Sequence, residues 1–209
     1  MSHGRLITFE GGEGTGKSTQ AARLADRLAR AGREVVRTRE PGGSAGAEAI
    51  RRLIVRGEVD RWSPISEVLL LYAARSDHVE RIIVPALARG AIVVCDRFAD
   101  STRAYQGAAS LGPLELIMTL EKFVLRDVKP DLTVVLDVPV ETGLARAAAR
   151  RGTETRFEAK GAAFHKRLRR AFLAIAAAEP ERCVVIDAAP SAAEVEAAVW
   201  RTAEPRIAA

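Results

Sequence analysis

Short runs of aliphatic and β-branched residues alternate along the chain with longer stretches whose apolar positions recur every three or four residues. The first run, RLITF (Arg5–Phe9), passes at once into glycines. From Lys17 onward, Ala21, Leu24, Leu28 and Ala31 fall at helical spacing, and Gly32 supplies the stop. Residues 34–38 predict a second strand, and the loop REPGGSAG leads into a short helix ending near Gly57. Residues 64–88 read as one long helix, apolar through EVLLLYAA, which Pro85 shortens or kinks. AIVVC (91–95) and LTVVLDV (132–138) are apolar without alternation, the signature of parallel strands covered on both faces. Further helices are predicted over 99–106, 113–125, 141–150 and about 158–178, a last strand over 183–186, and a last helix from Ser191.

This alternation predicts a single doubly wound α/β domain over residues 1–209, with about five parallel strands. Three apolar strands end in an acid, Asp96, Asp137 and Asp187, at the edge where open α/β sheets bind ligands. At least one of these acids is expected to face a site; the others cap the helices that follow.

Composition narrows the class. With 209 residues, 48% hydrophobic and 28% charged, the chain fits one globular domain, and at 5% aromatic its core rests on Ala, Val, Leu and Ile. No apolar run approaches the roughly 20 residues that span a bilayer, and the start lacks a signal-peptide core, so no membrane partner and a cytoplasmic location are expected. Cys95 and Cys183 lie at the ends of strand-like runs and are expected as buried thiols. The net charge of +5 is spread along helices, densest over 146–170. Solvated helix faces and anionic small-molecule substrates account for it, and no nucleic-acid-binding pattern accompanies it.

The chemistry begins at Gly11-Gly12-Glu13-Gly14-Thr15-Gly16-Lys17-Ser18, which matches G-x-x-x-x-G-K-[ST] between a strand and a helix. Glycines let successive amides turn inward on phosphate oxygens, and the helix dipole adds positive charge there. Lys17 is placed for the β- and γ-phosphates and the Ser18 hydroxyl for Mg²⁺. A GTPase would carry an Asn-Lys-x-Asp element, and the chain contains no asparagine. Motor and partitioning ATPases carry additional elements not seen here. Asp96-Arg97 directly after AIVVC favours a kinase: the acid orients Mg²⁺ or its waters, and the guanidinium clamps phosphoryl oxygens. None of the variable P-loop positions is basic, so a cation must come from elsewhere. The arginine-rich break 150–156 (RRGTETR) suits a lid over ATP, with Arg156, and Arg150 or Arg151, meeting the transferring phosphoryl group.

FEGGEGTGKST (9–19), TREPGG (38–43), YAAR (72–75), DRFADSTRAYQG (96–107), LDV (136–138) and RFE (156–158) together resemble bacterial thymidylate (dTMP) kinases, a P-loop nucleoside monophosphate kinase family, over nearly the whole chain. The resemblance implies transfer of the γ-phosphoryl group of ATP to dTMP, with Mg²⁺, in a homodimer formed through the long apolar helix. It implies that Glu13 meets the sugar 3′-OH or a Mg²⁺-bound water and that Arg39 and Arg97 hold the dTMP phosphate. By the same likeness Arg75 bonds the thymine carbonyl edge, Ser101, Thr102 and Gln106 line the same pocket, and Tyr105 packs on the deoxyribose. Thr19 continues the ATP cradle, and Arg146 lies toward adenine. Where the family commonly stacks Phe on thymine, this chain has Leu71; Leu71 or Tyr72 offers the apolar face, or both form a helix core stripe. Another monophosphate acceptor, or a nucleotide-binding regulator without transfer, are the alternative readings.

Overall fold

A computed structural model describes residues 4–149 and 156–208. In chain order, β1 (Arg5–Glu10) leads through the glycine loop into α1 (Lys17–Arg30), then β2 (Val35–Arg39) and α2 (Ala45–Ile54). Ser44 caps α2 by accepting a hydrogen bond from the Ala47 amide. α3 (Pro64–His78) starts with proline in its first turn, where the missing amide costs nothing. It passes through a π-helical turn (Val79–Ile83) into α4 (Val84–Ala88). The long helix expected here is therefore continuous, and its register gives way in the turn just ahead of Pro85, whose ring removes a donor.

β3 (Ile92–Asp96) is followed by α5 (Ala99–Thr102), which continues with π geometry through Arg103–Ala109. α6 (Leu114–Leu125), β4 (Leu132–Asp137), α7 (Val140–Ala148), α8 (Ala162–Ala178), β5 (Cys183–Asp187) and α9 (Ala192–Ala208) complete the order. α8 begins four residues later than its pattern suggested, because Gly161 takes the capping position and 157–160 turn toward the site.

The five strands are parallel in the order β2-β3-β1-β4-β5. β1 is central, so the P-loop leaves the sheet at the point where neighbouring crossovers diverge, where doubly wound folds open a crevice. Alternate residues of β1 feed opposite layers. Ile7 and Phe9 join Leu24, Leu28, Val134 and Val199 under α1 and α9; Leu6 joins Ile83, Val93, Cys95 and Phe98 on the other face. Both cysteines are buried free thiols, and the Cys95 Sγ donates to the Arg97 carbonyl at 3.0 Å.

Candidate active site

The loop Gly11–Ser18 lies where the motif requires, between β1 and α1. Gly14 has φ +67°, and a Cβ there would lie 1.9 Å from the Gly143 carbonyl oxygen; a Cβ on Gly143 would lie 2.5 Å from that of Glu13. The loop thus rests backbone against backbone on α7, at a distance only glycine permits. Lys17 folds back across it, donating to the Gly12 carbonyl at 2.6 Å and to the Thr15 hydroxyl at 3.3 Å. Thr19 stands exposed on the first turn of α1.

Of the three edge acids, Asp96 meets the P-loop directly. Its Oδ2 accepts from the Ser18 hydroxyl at 2.5 Å, and its buried Oδ1 has no partner among the described residues. Asp137 is held by Arg169 at 2.7 Å beside the P-loop, and Asp187 accepts from the Ala189 amide at 2.9 Å.

Arg97 follows Asp96 with φ +68°, in the left-handed region that a non-glycine residue occupies only at a cost. Its amide donates to the Phe9 carbonyl at 2.9 Å. Its guanidinium reaches the Gly11 carbonyl at 3.2 Å, the Ser101 hydroxyl at 3.4 Å and both Glu13 oxygens at 3.1 and 3.2 Å. The Tyr105 hydroxyl donates to Glu13 at 2.6 Å. Burial pushes the Glu13 carboxyl upward, but the Arg97 and Lys17 charges outweigh it and bring it down to about 2, so Glu13 is a carboxylate across the working pH range. Glu10, at the end of β1, accepts from the Phe98 amide at 2.7 Å and the Ser101 hydroxyl at 2.6 Å, fixing the start of α5.

Beside this cluster opens a cavity of about 130 Å³, lined among others by Glu13, Leu71, Arg75, Arg97, Tyr105 and Gln106. Ser101 and Thr102 also line it. Arg75 is 3% exposed and ion-paired to Glu40 at 2.7 Å; it also donates to the Phe98 carbonyl and the Thr102 hydroxyl. Its Nη1 is buried without a partner among the described residues, a spare donor in a residue of the cavity wall. Leu71 reaches the wall. Tyr72 does not: its ring is buried in the α3–α6 contact beside Val68 and Ile117, with Arg75 stacked 4.7 Å over it. One helical residue turns the side chain by about 100°, which carries position 72 off the face that Leu71 presents. Arg39 is exposed and paired with Glu48 at 3.1 Å, and it is not among the residues that line the cavity.

The lid region brings the largest departure. Arg150 and Arg151 lie outside the described residues. Arg156 is not over the P-loop. It is 3% exposed, paired to Glu67 at 2.5 Å, and it donates to the carbonyls of Ile54, Glu58 and Val59. An arginine so enclosed by acceptors is fixed against the C-terminal end of α2 and the start of α3. Arg146 donates to the Ala188 and Ala189 carbonyls, tying α7 to the loop after β5. The sequence reading missed Glu10, Glu40, Glu67 and Phe157. A lone acid within the apolar α3 run was the available signal for Glu67.

The chain is similar to known proteins over nearly its whole length. The thymidylate kinase family model matches residues 9–199. A thymidylate kinase of Caulobacter vibrioides is 62% identical over 199 residues, covering 95% of each chain. One from Bradyrhizobium sp. (strain ORS 278) is 53% identical over 206 residues, covering 98% of this chain and 91% of the relative. The crystal structure of thymidylate kinase from Ehrlichia chaffeensis superposes with a TM-score of 0.78 at 35% identity, covering 97% of this chain and 99% of that one.

Proposed function

The chain belongs to the thymidylate kinase family, and from that premise we infer how its residues divide the ATP-dependent phosphorylation of dTMP to dTDP. The carrying observation is adjacency: the P-loop and the cavity share Glu13 and Arg97, so a phosphate donor and a monophosphate acceptor meet across one ion pair. The P-loop amides and Lys17 hold the polyphosphate. Arg97, joined by Arg39 from the end of β2, takes the acceptor phosphate. The unpartnered Arg75 Nη1 donates to a base carbonyl, Leu71 supplies the apolar face and Tyr105 the wall beside the sugar.

Mg²⁺ fits the donor set. A hard cation takes oxygen ligands, and the Ser18 hydroxyl beside the unpartnered Asp96 Oδ1 offers them directly or through water. When bound, it neutralises charge on the β- and γ-phosphate oxygens. Freeing Arg156 would break a buried pair, at a cost of about 3–5 kcal/mol. The cation over the transferring group is therefore assigned to Arg150 or Arg151, with Arg146 toward the adenine side.

Steady-state ADP release with a panel of monophosphates tests the assignment. Turnover with dTMP well above dUMP, dCMP and dAMP is expected. Silence with every acceptor would leave a nucleotide-binding protein, and a preference for another base would overturn the acceptor.

A homodimer is supported by apolar side chains left on the outer surface of α3 and α6: Ile65, Leu69, Leu114 and Met118 are 45–54% exposed and Phe123 is 76% exposed. Light scattering at micromolar concentration should give twice the mass of the 22.5 kDa chain; a monomer mass would contradict the dimer. Among the described residues no helix is long and apolar enough to cross a membrane, which accords with a cytoplasmic enzyme.

A further inference from the structure

Glu67 enters α3 as an acid in an apolar run and ends 5% exposed, yet neither of its oxygens is idle. Oε1 accepts from the Gln106 side-chain amide at 2.8 Å, and Oε2 meets Arg156 Nη1 at 2.5 Å. A carboxylate can only accept, so the atom Gln106 turns toward it is the nitrogen, and the oxygen is what remains for a ligand. Gln106 lines the acceptor cavity, whose wall also carries the unpartnered Arg75 donor. An acceptor at one position and a donor at the other match the ring N–H and carbonyl of thymine or uracil. Cytosine, with an acceptor at its ring nitrogen, is mismatched.

The second oxygen governs the wall. Through Arg156 it is joined to the carbonyls of Ile54, Glu58 and Val59. Ile54 and Phe157, the residue after Arg156, both line the cavity. The two segments are about a hundred residues apart in sequence and meet on this guanidinium.

We propose that Glu67 is a positioning and specificity-determining residue of the acceptor site: one oxygen fixes which end of the Gln106 amide faces the base, and the other, through Arg156, holds the outer wall closed on it. The proposal rests on the dTMP kinase reading and adds a residue that touches no substrate.

Glu67→Gln keeps size and packing but lets the amide pair with Gln106 in either sense and removes the charge holding Arg156. The KM for dTMP should rise by about tenfold or more, and the preference for dTMP over dCMP should shrink, while the KM for ATP stays within about twofold. Arg156→Lys keeps the charge but loses the three-carbonyl clamp. It should raise the KM for dTMP with no change in base preference, and the double variant should fall short of the product of the two effects. Should Glu67→Gln not fold, Arg156→Lys carries the test of the wall alone, and Gln106→Glu, which abolishes amide polarity, carries that of the base. An unchanged dTMP KM in folded variants, or a fall confined to kcat, overturns the proposal. A wild-type enzyme without dTMP turnover would instead overturn the kinase reading itself.

Discussion

Replacing Lys17 by alanine should lower kcat by on the order of 10²–10³ or more with every acceptor, since it removes the ammonium proposed to hold the β- and γ-phosphates. The loss should come without loss of stability. In the ATP-free protein, burial and then the nearby Arg97 charge pull the Lys17 ammonium down to about 8 from its ordinary 10.5. Folding therefore disfavours the charged form. The penalty is fully present below pH 8 and disappears as pH rises toward 10.5, so Lys17→Ala should unfold at the same temperature or higher at neutral pH. Bound polyphosphate reverses the preference, and ATP binding takes up a proton above pH 8. Wild-type affinity for a non-hydrolysable ATP analogue, measured calorimetrically, should be flat below that pH and weaken by up to about tenfold per unit above it. The Lys17→Ala protein should lack that slope. A slope retained in the variant would place the titrating group elsewhere.

Replacing Arg75 by leucine should damage stability and acceptor binding together. The guanidinium and Glu40 are 3% and 4% exposed, and the leucine would strand the carboxylate with only His78 Nδ1, at 3.0 Å, beside it. Breaking a buried pair from one side costs about 3–5 kcal/mol, readable as a lower denaturation midpoint in urea. Burial alone would raise the Glu40 pKa, yet the Arg75 charge and the His78 contact hold it below its ordinary 4.5. Its stabilising contribution is therefore complete at neutral pH and lost as pH falls below about that value, so the wild type should be more acid-sensitive than the variant. Arg75→Lys keeps a charge for Glu40 but cannot also reach the Phe98 carbonyl, the Thr102 hydroxyl and a base. It should fold better than Arg75→Leu while its KM for dTMP rises about tenfold or more. A normal dTMP KM in Arg75→Lys would remove the arginine from base recognition.

What the chain disclosed in advance follows from what is local. The P-loop is legible because its geometry is written in eight consecutive residues. The strands are legible because burial on both faces leaves continuous apolar runs, and β1 to β5 end within about a residue of their expected limits. Asp96 and Arg97 were legible because a strand end fixes where the next side chains point. The buried place of Arg156 was not legible for the opposite reason: its polar, glycine-containing surroundings read as a mobile cation, and its partner Glu67 lies 89 residues upstream, a pairing no local pattern encodes. Tyr72 was ambiguous because an unbroken apolar run gives no phase to the helix. Glu40 stands one residue after β2, at the start of a glycine-rich loop where no periodicity marks an acid as buried.

The wide-turn segment Arg103–Ala109 carries a consequence for how this pocket can change. A π turn is in effect an α-helix with one residue too many. Here that surplus lies in the stretch where Tyr105 reaches toward Glu13 and its neighbour Gln106 reaches toward Glu67. Deleting a single codon in that stretch would restore ordinary winding and swing whatever precedes or follows it by about 100°, so one of the two neighbours would lose its target. The proposed base and sugar contacts thus share a single point of failure in the gene, and a relative with that deletion would need a differently built cavity rather than a weakened version of this one.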